Sequence, residues 1–197
     1  MLVSPSILYQ HCYGNYAIAA VNVFTMEQVH GLFFAAQKFG APVIVQITPA
    51  ARNYAHPIML IAMVKAAEEI YPDVVYAIHL DHGVESHVFD AISQGYTSVM
   101  IDASHDPFEL NISRTKAVVE RAHAGGLVVE AELGVLSGVE DDLEVEDRDA
   151  LYTNPQQAKE FVERTGCDSL AIAVGTSHGA YKFSGGQGIQ FHILEKI

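Results

Sequence analysis

Three short stretches of this chain hold side chains whose types and spacing can do chemistry. The first is His79-Leu80-Asp81-His82. In an extended strand, alternation sends His79 and Asp81 to one face and leaves His82 to begin the following loop. A carboxylate beside an imidazole at a strand end can move protons and ligate a metal. It can equally be a strand end whose polar groups cap a neighbouring helix. The second stretch is Glu130-Ala131-Glu132, two carboxylates at alternate positions and so on one face. A buried pair of this kind is costly without a cation or protons; the other reading is an ion pair with an outer helix. The third is Gly175-Thr176-Ser177-His178-Gly179, whose glycines let backbone N–H groups approach an anion and whose His178 is a second imidazole. By itself it is a flexible loop with a histidine in it. Taken together, two neutral histidines with open positions and two acidic strand ends are what a catalytic zinc site uses. His11, His30, His56, His87, His105, His123 and His192 fall on expected helices or loops and read as surface or packing residues.

These groups need elements to hold them. Six β-branched apolar runs, Ala17–Val23, Pro42–Thr48, Val74–Leu80, Thr97–Asp102, Leu127–Glu132 and Ser169–Val174, read as parallel strands covered on both faces. The segments between them carry helix punctuation. Thr25 with Gln28, Asp106 with Glu109, and Asn154 with Gln157 have the spacing of an N-cap and a residue reaching back to it. Pro107 and Pro155 suit the first helical position, and Gly40, Gly95, Gly125 and Gly166 suit helix closures. Alternating strand and helix predicts an α/β fold with a parallel sheet. Between an open sheet and a barrel, two observations favour the barrel. The first βα turn, NVFTME, lacks a glycine-rich dinucleotide fingerprint. Polar residues recur at every strand end, Asn22, Thr48, Asp81 with His82, Asp102, Glu132 and then His178, as if facing one mouth. The reading is a single domain over 1–197, a (β/α)8 barrel with six of its β/α units in this chain. Two long segments, Leu133–Thr153 with seven acids and Gly175–Gly188 with five glycines, read as irregular functional loops after strands.

Composition narrows the partners. A net charge of −13 over 197 residues disfavours nucleic acid and anionic membranes, which reward basic patches. It is compatible with a phosphorylated substrate, since a metal and backbone amides make a local anion site on an acidic protein. No apolar run approaches the roughly 20 residues of a membrane span. The start, MLVSPSILYQHCYG, has no signal-peptide pattern, and Cys12 and Cys167 are too few and too far apart for a disulfide framework. A reducing cytoplasm with free thiols is the expectation.

Four strings then carry a family resemblance, in order and over essentially the whole chain. AIHLDHG (77–83), SVMIDASHDPFELNI (98–112), VEAELGVLSGVEDD (129–142) and AVGTSHGAYKF (173–183) resemble class II fructose-bisphosphate aldolases. The resemblance implies a zinc-dependent lyase of carbohydrate metabolism, acting in glycolysis on a phosphorylated sugar as a homo-oligomer, dimer or tetramer. It implies that His82 and His178 ligate the catalytic zinc, and that Asp102 and Glu132 hold a second or alternative divalent ion. Asp81 would exchange the proton of the hydroxyl at the bond being broken, and Glu140 the proton at the dihydroxyacetone phosphate carbon. Asn22 and Thr48 would contact substrate, Thr48 standing where the family usually has Ser. Gly179 matches a phosphosugar contact near a monovalent-cation site, for sodium or potassium, and Lys182 is a candidate phosphate partner. The family's third zinc histidine and its phosphate loops belong to strands seven and eight, outside this sequence. Tagatose-bisphosphate aldolase, and a non-catalytic phosphosugar- or metal-binding fragment, are the alternatives.

Cleaving a bond next to a carbonyl leaves charge on carbon, which either a lysine Schiff base or a Lewis-acidic metal can hold. None of the six expected strands contains lysine. Borohydride added with fructose 1,6-bisphosphate is therefore expected to trap no covalent adduct, and a mass increase on any lysine would refute the metal route.

Overall fold

The computed structural model describes residues 1–140, 143–145, 151–178 and 188–197, with residues 137–140, 143–145, 177 and 178 described in backbone only. In chain order the elements begin with α1 (Pro5–Cys12), β1 (Ala19–Asn22), α2 (Met26–Phe39), β2 (Val43–Ile47), α3 (Pro49–Ala55) and α4 (Pro57–Ile70). They continue with β3 (Tyr76–Gly83), α5 (Glu85–Gln94), β4 (Ser98–Ile101), α6 (Phe108–Ala124) and β5 (Val128–Leu133). The last are β6 (Ser137–Glu140), β7 (Leu143–Val145), α7 (Pro155–Thr165), β8 (Ser169–Ile172), β9 (Ser177–His178) and α8 (Phe191–Leu194). None of the described helices is long and apolar enough to cross a membrane, and both cysteines are free.

All six expected strands form, in one sheet ordered β1-β2-β3-β4-β5-β8. The order never reverses along the chain. A doubly wound sheet needs a reversal at its switch point, whereas a (β/α)8 barrel adds each strand beside the last. The winding is that of the barrel, with six of its units. Parallel registers set neighbouring side chains side by side, Asn22 opposite Gln46 and Gln46 opposite His79, and Glu132 opposite Ala171.

The helix ends follow local chemistry. Thr25 and Gln28 form both arms of a capping box on α2, and the Asn154 side chain accepts from the Gln156 and Gln157 N–H groups. Gly40, Gly95 and Gly166 close helices in the left-handed conformation; after α6 it is Gly126, one residue later than expected, that takes it. Asp106, expected to cap α6, pairs its carboxylate with Arg114. One junction is unusual. His56 is at once the C-cap of α3, its N–H donating to Arg52 O, and the N-cap of α4, its Nδ1 accepting from the Ile58 N–H at 3.3 Å. It does so at φ 66°, ψ 132°, a region glycine normally takes.

The structure departs from the sequence reading in three further places. β1 is not covered on both faces: Ala19 and Ala20 are exposed, and β8 is only half-buried, because these two strands are outermost in the sheet order. His82 does not begin a loop but lies within β3, which runs on to Gly83. The two long segments are not wholly irregular. They contribute a second, three-stranded sheet, in which β6 pairs antiparallel with β7 and parallel with β9.

The chain packs as two units. Met1–Met100 with Ala122–Val128 form one. In it Phe33, Val45, Ile47, Leu60, Val64, Tyr76, Ile78 and Leu80 are almost wholly buried, and the Phe33 ring meets Tyr76 edge-on at 4.9 Å. Ile101–Arg121 with Val129–Ile197 form the other, where Val118, Val129, Ala131 and Phe161 are buried and Phe108 packs on Phe161. Consecutive phenylalanines on α2 separate core from surface: Phe33 is 0% exposed and Phe34 is 55%. Phe33→Ala is expected to cost ~3–5 kcal/mol in urea unfolding and Phe34→Ala less than about 0.5 kcal/mol. Equal losses would mean that the α2 face is misassigned.

Candidate metal and proton-transfer site

Asp81 occupies a buried position near the end of β3, and a buried carboxylate needs donors. The Asn22 amide at the end of β1 donates to Asp81 Oδ2 at 2.9 Å. Asp81 Oδ1 lies 4.0 Å from the Nε2 of His82. His82 is at φ 49°, the left-handed region, which re-aims the strand end between Asp81 and Gly83. Gly83 is required there by space: a Cβ would sit 2.6 Å from Leu80 Cδ2 and 3.0 Å from the Met100 carbonyl oxygen.

One layer deeper, His79 is buried and its Nδ1 is 2.8 Å from Ser98 Oγ, so a side-chain bond joins β3 to β4. Thr97 adds to the same seam, its hydroxyl accepting from the Ile78 N–H at 3.0 Å and donating to Ile78 O at 3.1 Å. Burial lowers the His79 pKa from the usual 6.5 to about 3, with His82 adding to the shift, and the ring is neutral at physiological pH.

Asp102, just past β4, is held by its own turn. Its Oδ1 accepts from the Ser104 N–H at 3.0 Å and from the Ser104 hydroxyl at 2.8 Å. Glu132 is buried on β5, and its backbone carbonyl accepts from Asn111 Nδ2 at 3.0 Å. Asn111 in turn accepts from the Thr115 hydroxyl at 3.0 Å, so a buried chain from α6 pins the strand end. His82 brings an imidazole, and Asp102 and Glu132 bring carboxylates, Glu132 buried; these donor types fit a divalent cation by chemistry and by charge.

The remaining expected residues fall as follows. Thr48 is buried and its hydroxyl accepts from the Ala51 N–H at 3.1 Å, capping α3 and keeping its own proton to donate. Glu140 and His178 are described in backbone only and belong to the same small sheet, where Gly138 is in register with His178. Gly179 and Lys182 lie outside the described residues. Sequence reading missed the supports: Ser98, Ser104, Asn111 and Thr115 are ordinary polar residues; the partners of Ser98 and Asn111 lie across elements, and Thr115 supports Asn111 from one turn along α6. Ser104, two residues from Asp102, fits a local carboxylate turn and was the one open to detection.

Comparisons with known proteins bear on what these groups do. A family model described as fructose-bisphosphate aldolase class-II matches residues 5–197. A fructose-bisphosphate aldolase of Giardia intestinalis is 49% identical over 181 residues, covering 91% of this chain and 55% of that protein. One from Thermus caldophilus is 45% identical over 184 residues, covering 93% and 60%. Among solved structures, the YdjI aldolase of Escherichia coli K12 aligns with a TM-score of 0.85 at 33% identity, covering 100% of this chain and 68% of that one. The fructose-bisphosphate aldolase of Campylobacter jejuni aligns with a TM-score of 0.79 at 25% identity, covering 98% and 63%. The chain thus spans a little over half the length of the curated relatives it matches.

The depressed His79 pKa has a testable sign. Below pH 6.5 the unfolded chain protonates this imidazole while the folded one does not until about pH 3, so acid favours unfolding across that window. Urea unfolding at stepped pH should show stability declining from 6.5 downward, and His79→Asn should flatten that decline. Parallel wild-type and variant curves would show that His79 does not titrate in this way.

Proposed function

From the premise that the chain belongs to the class II fructose-bisphosphate aldolase family, we propose that the protein reversibly cleaves fructose 1,6-bisphosphate to dihydroxyacetone phosphate and glyceraldehyde 3-phosphate. The observation that carries the reading is the buried Asp81 carboxylate beside His82, oriented by the Asn22 amide. The names of the relatives support fructose over tagatose bisphosphate.

His82 and His178 would hold the catalytic zinc, with Asp102 and Glu132 available to a second divalent ion, and bound zinc supplies Lewis-acid polarisation of the substrate carbonyl. In the cleavage direction Asp81 takes the proton of the hydroxyl on the departing carbon as the carbon–carbon bond breaks and its electron pair moves toward the carbonyl. Glu140 returns a proton to the carbon left behind. The Asn22 amide keeps the Asp81 carboxylate aimed during both directions of the reaction. Asn22 and Thr48 contact the sugar. Gly179 and Lys182 meet phosphate, Gly179 beside a sodium or potassium ion. A homo-oligomer, dimer or tetramer, working in the cytoplasm completes the proposal.

Two variants separate the roles in the full-length protein. Asp81→Ala should retain zinc and lose about 10²–10⁴-fold in kcat, the usual scale of general acid–base work. His82→Ala should lose the metal as well, measured by elemental analysis, and EDTA should abolish wild-type activity. Equal zinc loss in both variants would reject the role given to Asp81. Activity untouched by EDTA, with no bound divalent ion, would reject the metal reading altogether.

A further inference from the structure

Thr153 has no role in the site as described, yet it is almost wholly buried, at 2% exposed, and both capacities of its hydroxyl are used. It donates to the backbone carbonyl of Leu133, the last residue of β5. It accepts from the backbone N–H of Ala173, just past β8, at 2.7 Å. The Thr153 N–H donates back to Ala173 O at 2.9 Å, and two residues earlier Leu151 and Val135 exchange a pair of backbone hydrogen bonds at 2.8 Å. The segment 151–153 is therefore stitched to the exits of two strands at once. The fit leaves no slack. At Gly134, φ 99°, a Cβ would lie 2.6 Å from Thr153 Oγ1 and 2.7 Å from Ala173 Cβ.

The two exits lead to β6 and β9, which pair in parallel with Ser137 opposite Ser177 and Gly138 opposite His178. β6 ends in Glu140 and β9 in His178. Thr176, exposed and β-branched at φ 62°, and Gly175 at φ 121° make the turn into β9. Backbone in such regions persists only where its surroundings hold it. We propose that Thr153 is a positioning residue: its hydroxyl ties the exit of β5 to the exit of β8, and so sets the backbone carrying Glu140 against the backbone carrying His178. The inference rests on the roles proposed above for those two residues. Displacing reacting groups by about 1 Å can cost ~10²-fold in rate.

The test uses Thr153→Val, which keeps shape and removes the hydroxyl, and Thr153→Ser, which restores it, both in the full-length protein. At a temperature where all three forms are folded, Thr153→Val should lower kcat by about 10-fold or more with KM changed by less than about 3-fold. Solvent-deuterium incorporation into dihydroxyacetone phosphate, which reads the Glu140 proton step alone, should fall in parallel. Thr153→Ser should recover both to within about 3-fold of wild type. Amide exchange at Gly138 and His178 should quicken in Thr153→Val and return in Thr153→Ser, a reading that needs no activity. A wild-type protein without aldolase turnover would sink the proposed function, and the amide arm alone would then decide on Thr153. Unchanged amide protection in Thr153→Val, or an active enzyme in which that variant loses only thermal stability, overturns the inference.

Discussion

Carboxylates withdrawn from water are the constraint on which the rest of this molecule depends. Asp81 and Glu132 are buried in a chain that already carries an excess of thirteen negative charges, and Asp102 is half-buried. An ionised carboxylate in such surroundings is stable only with donors or a cation close by. The local structure supplies donors one carboxylate at a time: the Asn22 amide for Asp81, and the Ser104 N–H and hydroxyl for Asp102. What donors leave uncompensated, a bound divalent ion would supply. Binding and folding would then be linked, because the metal relieves a cost that the fold carries without it.

Positioning comes from a layer of polar contacts below and beside these groups. The His79–Ser98 bond and the Thr97 hydroxyl act between β3 and β4, and the Thr115–Asn111 relay acts on the carbonyl of Glu132. Ser98, Thr97 and Asn111 are short side chains reaching a neighbouring element, and such bonds are stronger in a water-poor interior. A neutral His79 suits this layer, since a buried imidazolium there would repel a metal ion held at His82.

The sheet was legible because parallel strands advertise themselves: six apolar runs, each punctuated by a cap or a glycine, translate directly into six paired strands. The chemistry-bearing residues were legible for a related reason, since a polar group ending an apolar run has few explanations. What escaped was nonlocal. β6 and β7 are short, flanked by acids and without an Asn-Gly or Asp-Gly turn between them, so no local signal announces their pairing. β9 is two residues long and exists only because β6 is beside it. The edge exposure of β1 and β8 follows from sheet order, a property of the assembled strands. Thr153 looked like the residue before a helix cap, and its partners Leu133 and Ala173 are each 20 residues away in sequence.

The shared residue between α3 and α4 changes how that part of the surface can come apart. Most helix ends fray alone, at little cost to their neighbours. Here the last turn of α3 and the first turn of α4 depend on the same His56, one through its backbone N–H and the other through its ring. Opening the end of α3 frees a residue held at φ 66° to relax, and the ring then leaves the Ile58 N–H without its partner. Opening α4 first removes the contact that offsets that backbone conformation, and α3 loses its terminator. The ends of the two helices are therefore coupled through one residue, which lies eight positions beyond Thr48, whose hydroxyl starts α3.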